Sequence, residues 1–391
     1  MTLAELLSNE DLRHREFPVT RKRVFLAHAG VCPLPRRVAE AIRTYAAQST
    51  LADQEILLSP DQLRRTRTLA SRLLGATPDE IAFVGPTSLA LSYVAGGLEF
   101  RAGDNVLAYF DDYPSNVYPW MALAGRGVEV RFLQPRAFGR LELADVQAKV
   151  DGGTRLVALA SGHFLTGFRP DLARIGRFLR ERGIRFCVDA IQTLGAFATP
   201  IEGVDFLAAD AHKWLLGPCS AGLFYVRKEA QELLRPTVFG WHNVRCPDFV
   251  AQERLVFRAD ARRYEAGSQN LLGLVGLNAA LALLEEVGLD AIAAELSRKR
   301  GWLVPALQAG GWDVLAPDTP RENASGIVTF RREGIDLAAL HRELEAAGIV
   351  TSLRADRAGR HYVRISPHFY NTDAELARLL EALRSFLIRA G

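Results

Sequence analysis

Short apolar runs alternate with helix-periodic stretches across the first two-thirds of this chain, and that alternation constrains the fold more than any other feature. EIAFVG (80–85), NVLAYF (105–110), VEVRFL (128–133), RLVALAS (155–161) and IRFCVDA (184–190) have the length and apolar density of buried strands. Between them lie TSLALSYVAGGL (87–98), a shorter helix within 116–127, LELADVQAKV (141–150) and PDLARIGRFLRERG (170–183). Pro170 near a start and Gly183 past an end are the expected helix punctuation. Strand–helix alternation predicts an α/β fold with a mostly parallel, doubly wound sheet, and SAGLFYVRKE (220–229) reads as a further strand of it. After about residue 270 the pattern changes. LLGLVGLNAALALLEEVG (271–288) predicts one long helix, and the strands and helices that follow predict a smaller α+β C-terminal domain. The expected division is an N-terminal arm over 1–20 packing on the small domain, a large domain over 21–270, and the linking helix with the small domain over 271–391.

Composition sets the outer limits. The 391 residues, about half of them hydrophobic, suffice for one large core and a second lobe. A formal charge of +3 with acids and bases well mixed gives no electrostatic support for nucleic-acid or membrane-surface binding. No apolar run is long enough to cross a bilayer, and the N-terminus has no apolar signal core. Cys32, Cys187, Cys219 and Cys246 lack metal-ligand spacing, so no metal site is expected. A cytoplasmic protein with reduced thiols is the expectation.

Several short stretches carry chemistry. In DFLAADAHKWLLGP (205–218) a single lysine, Lys213, sits among apolar and small residues, although lysine is costly to desolvate. It is a surface lysine at a strand end, a snorkelling stem, or an amine held in a dry pocket for Schiff-base chemistry. Taken alone, the stretch does not choose. Asp189 closes a strand in VDAIQTLG, at the sheet edge where such folds place ligands. It reads as a turn or cap residue, or as a carboxylate aimed at a cationic ring nitrogen. Thr87 and Ser88 follow a strand and Gly-Pro at a helix start, which suits a phosphate as well as an ordinary N-cap.

The ordered set is more specific than its parts. Strand–GPTS–helix, DDYPSNVYPW, SGHFLTGFRPDL, VDAIQTLG, DAHKW, YEAGSQN and VRISPHFYNT together resemble the class V aminotransferases, pyridoxal 5′-phosphate (PLP) enzymes of fold type I. That family includes cysteine desulfurases, kynureninases and isopenicillin N epimerases. The resemblance runs from FLAHAG to YNTDAEL. It implies that Lys213 is the Schiff-base and proton-shuttling lysine, and that Asp189 pairs with the pyridinium nitrogen. It places Gln192 near the phenolic oxygen, Thr87, Ser88 and His212 at the phosphate, and Tyr113 over the ring. Thr166 falls in a loop bordering the cofactor. Ser268 corresponds to a hydroxyl that reaches the partner subunit's phosphate, so a homodimer with a shared active site is implied; Ser268 reads equally as a helix cap. Arg364 corresponds to the arginine that holds the substrate's α-carboxylate, where an edge-strand ion pair is the plainer reading. Arg354 is a second basic candidate, for a side-chain carboxylate or a loop ion pair. His28 is placed at the substrate pocket or in the core.

Departures matter too. The desulfurase branch needs a nucleophilic cysteine in the small-domain loop before the arginine strand. No cysteine follows Cys246, and the loop reads RADRAGRHY. Asp210, near the phosphate side, must pair elsewhere because it would repel that group. The expected function is a PLP enzyme that removes the α-proton of an amino acid. Aminotransferase ranks first, β-lyase of the carbon–sulfur or kynureninase kind second, and epimerase third. A noncatalytic relative would have lost Lys213 or Arg364, and a nicotinamide dehydrogenase would need a glycine-rich turn that VGPTSLA lacks.

Overall fold

The computed structural model describes residues 1–390. Among the described residues thirteen strands form three sheets. The largest holds β2 (Ile81–Val84), β3 (Asn105–Tyr109), β4 (Glu129–Leu133), β5 (Thr154–Ala160), β6 (Arg185–Asp189), β7 (Phe206–Ala209) and β8 (Gly222–Val226). Their order is β2-β8-β7-β6-β5-β3-β4. The five strands from β4 across to β7 run parallel. β3, β7 and β8 are buried along their whole length, as expected where helices cover both faces. Two apolar layers result. Leu107, Val157, Phe186 and Leu207 belong to one, and Leu91, Trp120, Phe206 and Phe224 to the other.

β8 departs from the parallel pattern and runs antiparallel to both β7 and β2. The reason is the connection. Residues 210–221 contain no helix, and without a crossover the chain returns beside the strand it left, in the opposite direction. That return loop is where Lys213 sits. Leu216 and Ser220 adopt left-handed backbone within it, at φ 58° and 59°. Such conformations are unusual for side-chain-bearing residues and cluster at functional sites.

The helix Leu271–Val287 packs on Arg36–Gln48 and Pro60–Leu74. At Gly288, φ 88°, the chain bends by 77° into a second helix, Leu289–Ala309. Among the described residues no single helix is long and apolar enough to cross a membrane.

The C-terminal part builds an antiparallel sheet in the order β12-β13-β10-β9, from β9 (Asp313–Val314), β10 (Val328–Arg331), β12 (Ser352–Ala355) and β13 (His361–Ile365). The stretch GIVTSLR (348–354) divides between two sheets. Its first half is β11 (Ile349–Val350), which pairs with β1 (Val24–Phe25) in a separate two-stranded sheet. Near the N-terminus, Arg13 meets Glu375 at 2.8 Å and Phe17 stacks on Tyr370 at 3.9 Å. Phe330, Leu340, Val363 and Leu379 form a third apolar cluster.

Candidate active site

The carboxyl ends of the parallel strands and the β7–β8 loop surround a cavity of about 260 Å³. Thr87, Ser88, Tyr113, Asp189, Gln192, His212, Lys213, Arg354 and Arg364 line it. A larger cleft, about 480 Å³, runs along Phe168–Leu172 and Glu322–Asn323 but contains neither Lys213 nor Asp189. Chemistry, not size, marks the site.

Asp189 ends β6, buried, with Oδ1 accepting the Ile191 N–H at 3.0 Å. Burial pushes its pKa up, while that N–H and the Lys213 ammonium oppose the rise. Lys213 is 6% exposed. Burial pushes it down to about 8; Asp189 works against this, and Arg364 and Arg354 add to it. Among the described residues no acceptor meets its Nζ, which lies 5.1 Å from the centre of the Tyr113 ring. The loop is pinned from behind. Trp214 is fully buried and donates from Nε1 to Gln192 Oε1 at 3.0 Å, while Gln192 Nε2 donates to Ala29 O at 3.2 Å.

On one side of the lysine, the helix Thr87–Gly97 begins after Pro86, which supplies no side-chain cap. Thr87 and Ser88 are therefore its first two residues rather than its caps, and the helix N-terminus opens into the cavity. Such an end favours an anion. Thr87 Oγ1 accepts the Asp210 N–H at 2.9 Å. Asp210 spends both carboxylate oxygens inside the protein. Oδ1 takes the N–H groups of Ala211 and Ala221, and Oδ2 takes the Ser220 N–H and His212 Nδ1 at 2.8 Å. Its charge is thus turned away from the cavity, and it orients His212, leaving Nε2 free.

On the other side, Arg364 lies on β13, paired across to Thr329 and Ser352. It is 1% exposed, and Nη1 donates to Phe164 O at 2.7 Å. Nε and Nη2 are buried and meet no partner among the described residues. Burial, then Arg354, pushes this guanidinium down to about 9.

Three expected residues do not join the cavity. His28 is fully buried; Nδ1 meets Ser366 O at 2.9 Å and Nε2 meets the Tyr370 hydroxyl at 2.6 Å. Burial pushes it down to about 3, so it is a neutral core residue with no nitrogen left for a substrate. Thr166 is also buried, its hydroxyl shared between His163 Nδ1 at 3.1 Å and Gly139 O at 3.3 Å. Ser268 borders a separate concavity and donates to Glu55 Oε1 at 3.2 Å. It does not cap the long helix either, since Asn270 accepts the Gly273 N–H there.

Sequence reasoning overlooked Asp112. It is buried, accepts from Tyr113 N at 2.7 Å and Asn116 Nδ2 at 2.9 Å, and is pushed up to about 7 by burial and then by Asp189. Asn116 in turn accepts from Trp120 Nε1 at 3.1 Å, so this short network fixes the loop that presents Tyr113. Two consecutive acids before a tyrosine are the only signal in the sequence. Phe164 acts through its carbonyl, which no side-chain motif reports.

These groups fit PLP. An amine without an acceptor suits its aldehyde, a buried carboxylate its ring nitrogen, and an open helix N-terminus with two hydroxyls and a histidine its phosphate.

Comparisons with known proteins agree with the architecture. The family model for aminotransferase class-V matches residues 24–379. A probable cysteine desulfurase of Methanothermobacter thermautotrophicus is 30% identical, over 96% of this chain and 98% of that protein. Among solved structures, the apo cysteine desulfurase of Thermococcus onnurineus superposes with a TM-score of 0.87 at 23% identity, over 96% of this chain and 97% of the other. The cystine C–S lyase C-DES, solved with cysteine persulfide, gives 0.86 at 22%, over 94% and 99%.

Proposed function

The chain belongs to the class-V aminotransferase family of PLP-dependent enzymes, and from that membership we propose that it cleaves the carbon–sulfur bond of a cysteine-derived amino acid by β-elimination. This reverses the order expected from sequence, which put transamination first. The relatives' names favour carbon–sulfur chemistry.

The observation that carries elimination, rather than sulfur transfer to a protein thiol, is where the thiols lie. Among the described residues no cysteine lines the cavity. Cys32 is buried against Gly217 O and pushed up to about 12 by burial. Cys187 is buried within β6. The loop before the arginine strand offers Arg357, held on Asp111 at 2.8 Å. A thiolate is the nucleophile such a transfer requires, so sulfur leaves with its own substituent.

In this reading Lys213, Asp189, Gln192, Thr87, Ser88, His212 and Tyr113 hold the cofactor. Bound there, PLP supplies an aldehyde for the substrate's amino group and a ring that draws electrons from the α-carbon. Arg364 grips the α-carboxylate through its free Nε–Nη2 edge. Lys213, which burial pushes down to about 8, takes the α-proton and can return it. Asp189 keeps a negative charge where the ring nitrogen needs one. The protein works as a homodimer, Ser268 being offered to the partner's cavity.

The test is product analysis of the holoenzyme with S-substituted cysteines. Pyruvate and ammonium in equal amounts, without an added keto acid, are expected. Amino-group transfer that requires a keto acid, or inversion of the α-carbon without cleavage, would overturn the reading.

A further inference from the structure

The hairpin that bears the carboxylate-binding arginine carries four arginines, and they divide cleanly. Arg357 is paired with Asp111 at 2.8 Å and Arg360 with Asp356 at 2.7 Å. Arg354 and Arg364 meet no carboxylate among the described residues, and these are the two that line the cavity. Arg364 has one edge, Nε and Nη2, buried and unmet. Arg354 has a single bond, from Nη1 to the carbonyl of its neighbour Leu353 at 3.0 Å. With Lys213 they make three cationic groups around a lining whose one carboxylate is Asp189. A buried guanidinium with an unmet edge and no carboxylate is costly, and a second beside it adds repulsion. Anions must complete the site. The cofactor's phosphate belongs to the Thr87, Ser88 and His212 side, and an amino acid's α-carboxylate satisfies one arginine.

Resting on the carbon–sulfur lyase reading, we infer that the substrate bears a second carboxylate on its sulfur substituent, held by Arg354 while Arg364 holds the α-carboxylate. Gly30 supports this. A Cβ there would lie 3.8 Å from Arg354 Nη2 and 3.9 Å from Arg364 Nη2, and 3.1 Å from Ala27 O. Both guanidinium ends thus stand in ordinary contact distance of one backbone point, which puts the two arginines side by side at the cavity wall. The reaction balances without a further reactant. The α-proton passes to Lys213, the Cβ–S bond breaks with its electron pair going to sulfur, and sulfur takes a proton to leave as a carboxylated thiol. The three-carbon remainder takes up water and departs as pyruvate and ammonium.

The experiment compares S-carboxymethyl-L-cysteine with its equally large amide, S-carbamoylmethyl-L-cysteine, on the holoenzyme. The acid should have a kcat/KM roughly ten- to hundredfold higher. Arg354→Gln should collapse that ratio towards one, and Arg354→Lys should keep part of it. The α-methyl forms of both ligands lack the removable proton, so calorimetric titration reads binding without turnover. The same preference, weakening as salt rises, is expected. Equal affinities for acid and amide, or a ratio untouched by Arg354→Gln, would overturn the inference, and pyruvate from both without preference would do so while leaving the lyase reading intact. Tighter binding of the α-methyl acid with no pyruvate from any S-substituted cysteine would support the two-anion site and overturn the lyase reading.

Discussion

Two buried lysines in different parts of the molecule are both pushed below the usual lysine range and differ in everything else. Lys213 sits in the β7–β8 loop and Lys299 in the helix Leu289–Ala309, and burial pushes both down to about 8. Lys299 is 0% exposed, yet its ammonium is fully met: it donates to His368 O at 3.1 Å and Phe369 O at 2.8 Å, and lies 3.0 Å from Glu295. Nζ of Lys213 meets no acceptor. A lowered pKa therefore records burial, and only the unmet donor records a group waiting for a ligand. The satisfied lysine also serves the unsatisfied one. It holds the corner whose His368 meets Trp214 O at 3.1 Å, immediately after Lys213.

Turnover should separate the pair most strongly. Lys213→Ala is expected to lower kcat by roughly 10⁴-fold, the scale of a lost general base, and to abolish borohydride fixation of the cofactor. Lys299→Met should keep both the fixation and most of the turnover. Equal losses in the two variants would make the distinction between met and unmet donors wrong.

Stability should separate them with opposite sign. Met at 299 leaves Glu295 and two carbonyls short of a donor, which costs about 1–3 kcal/mol. Met at 213 removes an ammonium whose depressed pKa is a burden on the folded apoprotein. The sign follows from proton counts. Between about pH 8, the folded value, and 10.5, the ordinary one, the unfolded chain keeps a proton that the folded chain has lost, so the lysine's burden lifts as pH rises through that window. Below pH 8 the full burden is present, about 3 kcal/mol at most from the size of the shift, reduced by what Asp189 loses with its cation. Denaturant unfolding of the apoproteins should find Lys213→Met more stable than wild type at pH 7, the gap closing towards pH 10.5. A destabilised Lys213→Met at pH 7 would mean that the loop holds its lysine for structure.

Much of this was legible in the residues. Apolar runs placed the strands, and the strand end placed Asp189. The ordered motifs singled out Lys213, Arg364 and the Thr87–Ser88 turn, all of which the fold brings to one cavity. Direction was harder. The antiparallel return of β8 depends on residues 210–221 containing no helix, and that stretch is apolar enough to suggest one. Periodicity does not predict the helix Leu289–Ala309. Gly301 and Pro305 lie inside it, and Glu295, Lys299 and Arg300 are buried, which blurs its apolar stripe. His28 shows the limit on the site itself. A histidine beside a glycine turn reads the same whether its nitrogens face a ligand or, as here, a carbonyl and a tyrosine. Satisfaction is a property of partners far apart in the chain, 338 and 342 residues away in this case.

The same contrast recurs among the acids, where the expected effect is smallest. Asp112 has both oxygens occupied by Tyr113 N and Asn116 Nδ2, whereas Asp189 has one oxygen on Ile191 N and meets no other protein donor among the described residues. Asp112 is thus architecture and Asp189, buried but with one oxygen unmet, is the working carboxylate, and the Asp189 charge helps push Asp112 up to about 7. The influence runs one way: Asp189 is raised by burial, with the Ile191 N–H and Lys213 opposing, and it ionises while Asp112 is still protonated, so Asp112→Asn should leave its ionisation in place. The acid limb of kcat/KM against pH should stay in place, while the plateau falls modestly, because asparagine keeps a carbonyl for the Tyr113 N–H but turns an amide NH2 toward Asn116 Nδ2. Folding gives a second reading of the same charge. Between 3.8 and about 7 the folded wild type holds a proton on Asp112 that the unfolded chain has released, so its stability falls as pH rises through that window. The asparagine variant lacks that slope. An unmoved acid limb together with a lost folding slope is the expected result and confines Asp112 to holding its loop; an acid limb that moves to lower pH would make Asp112 a partner in setting the Asp189 charge.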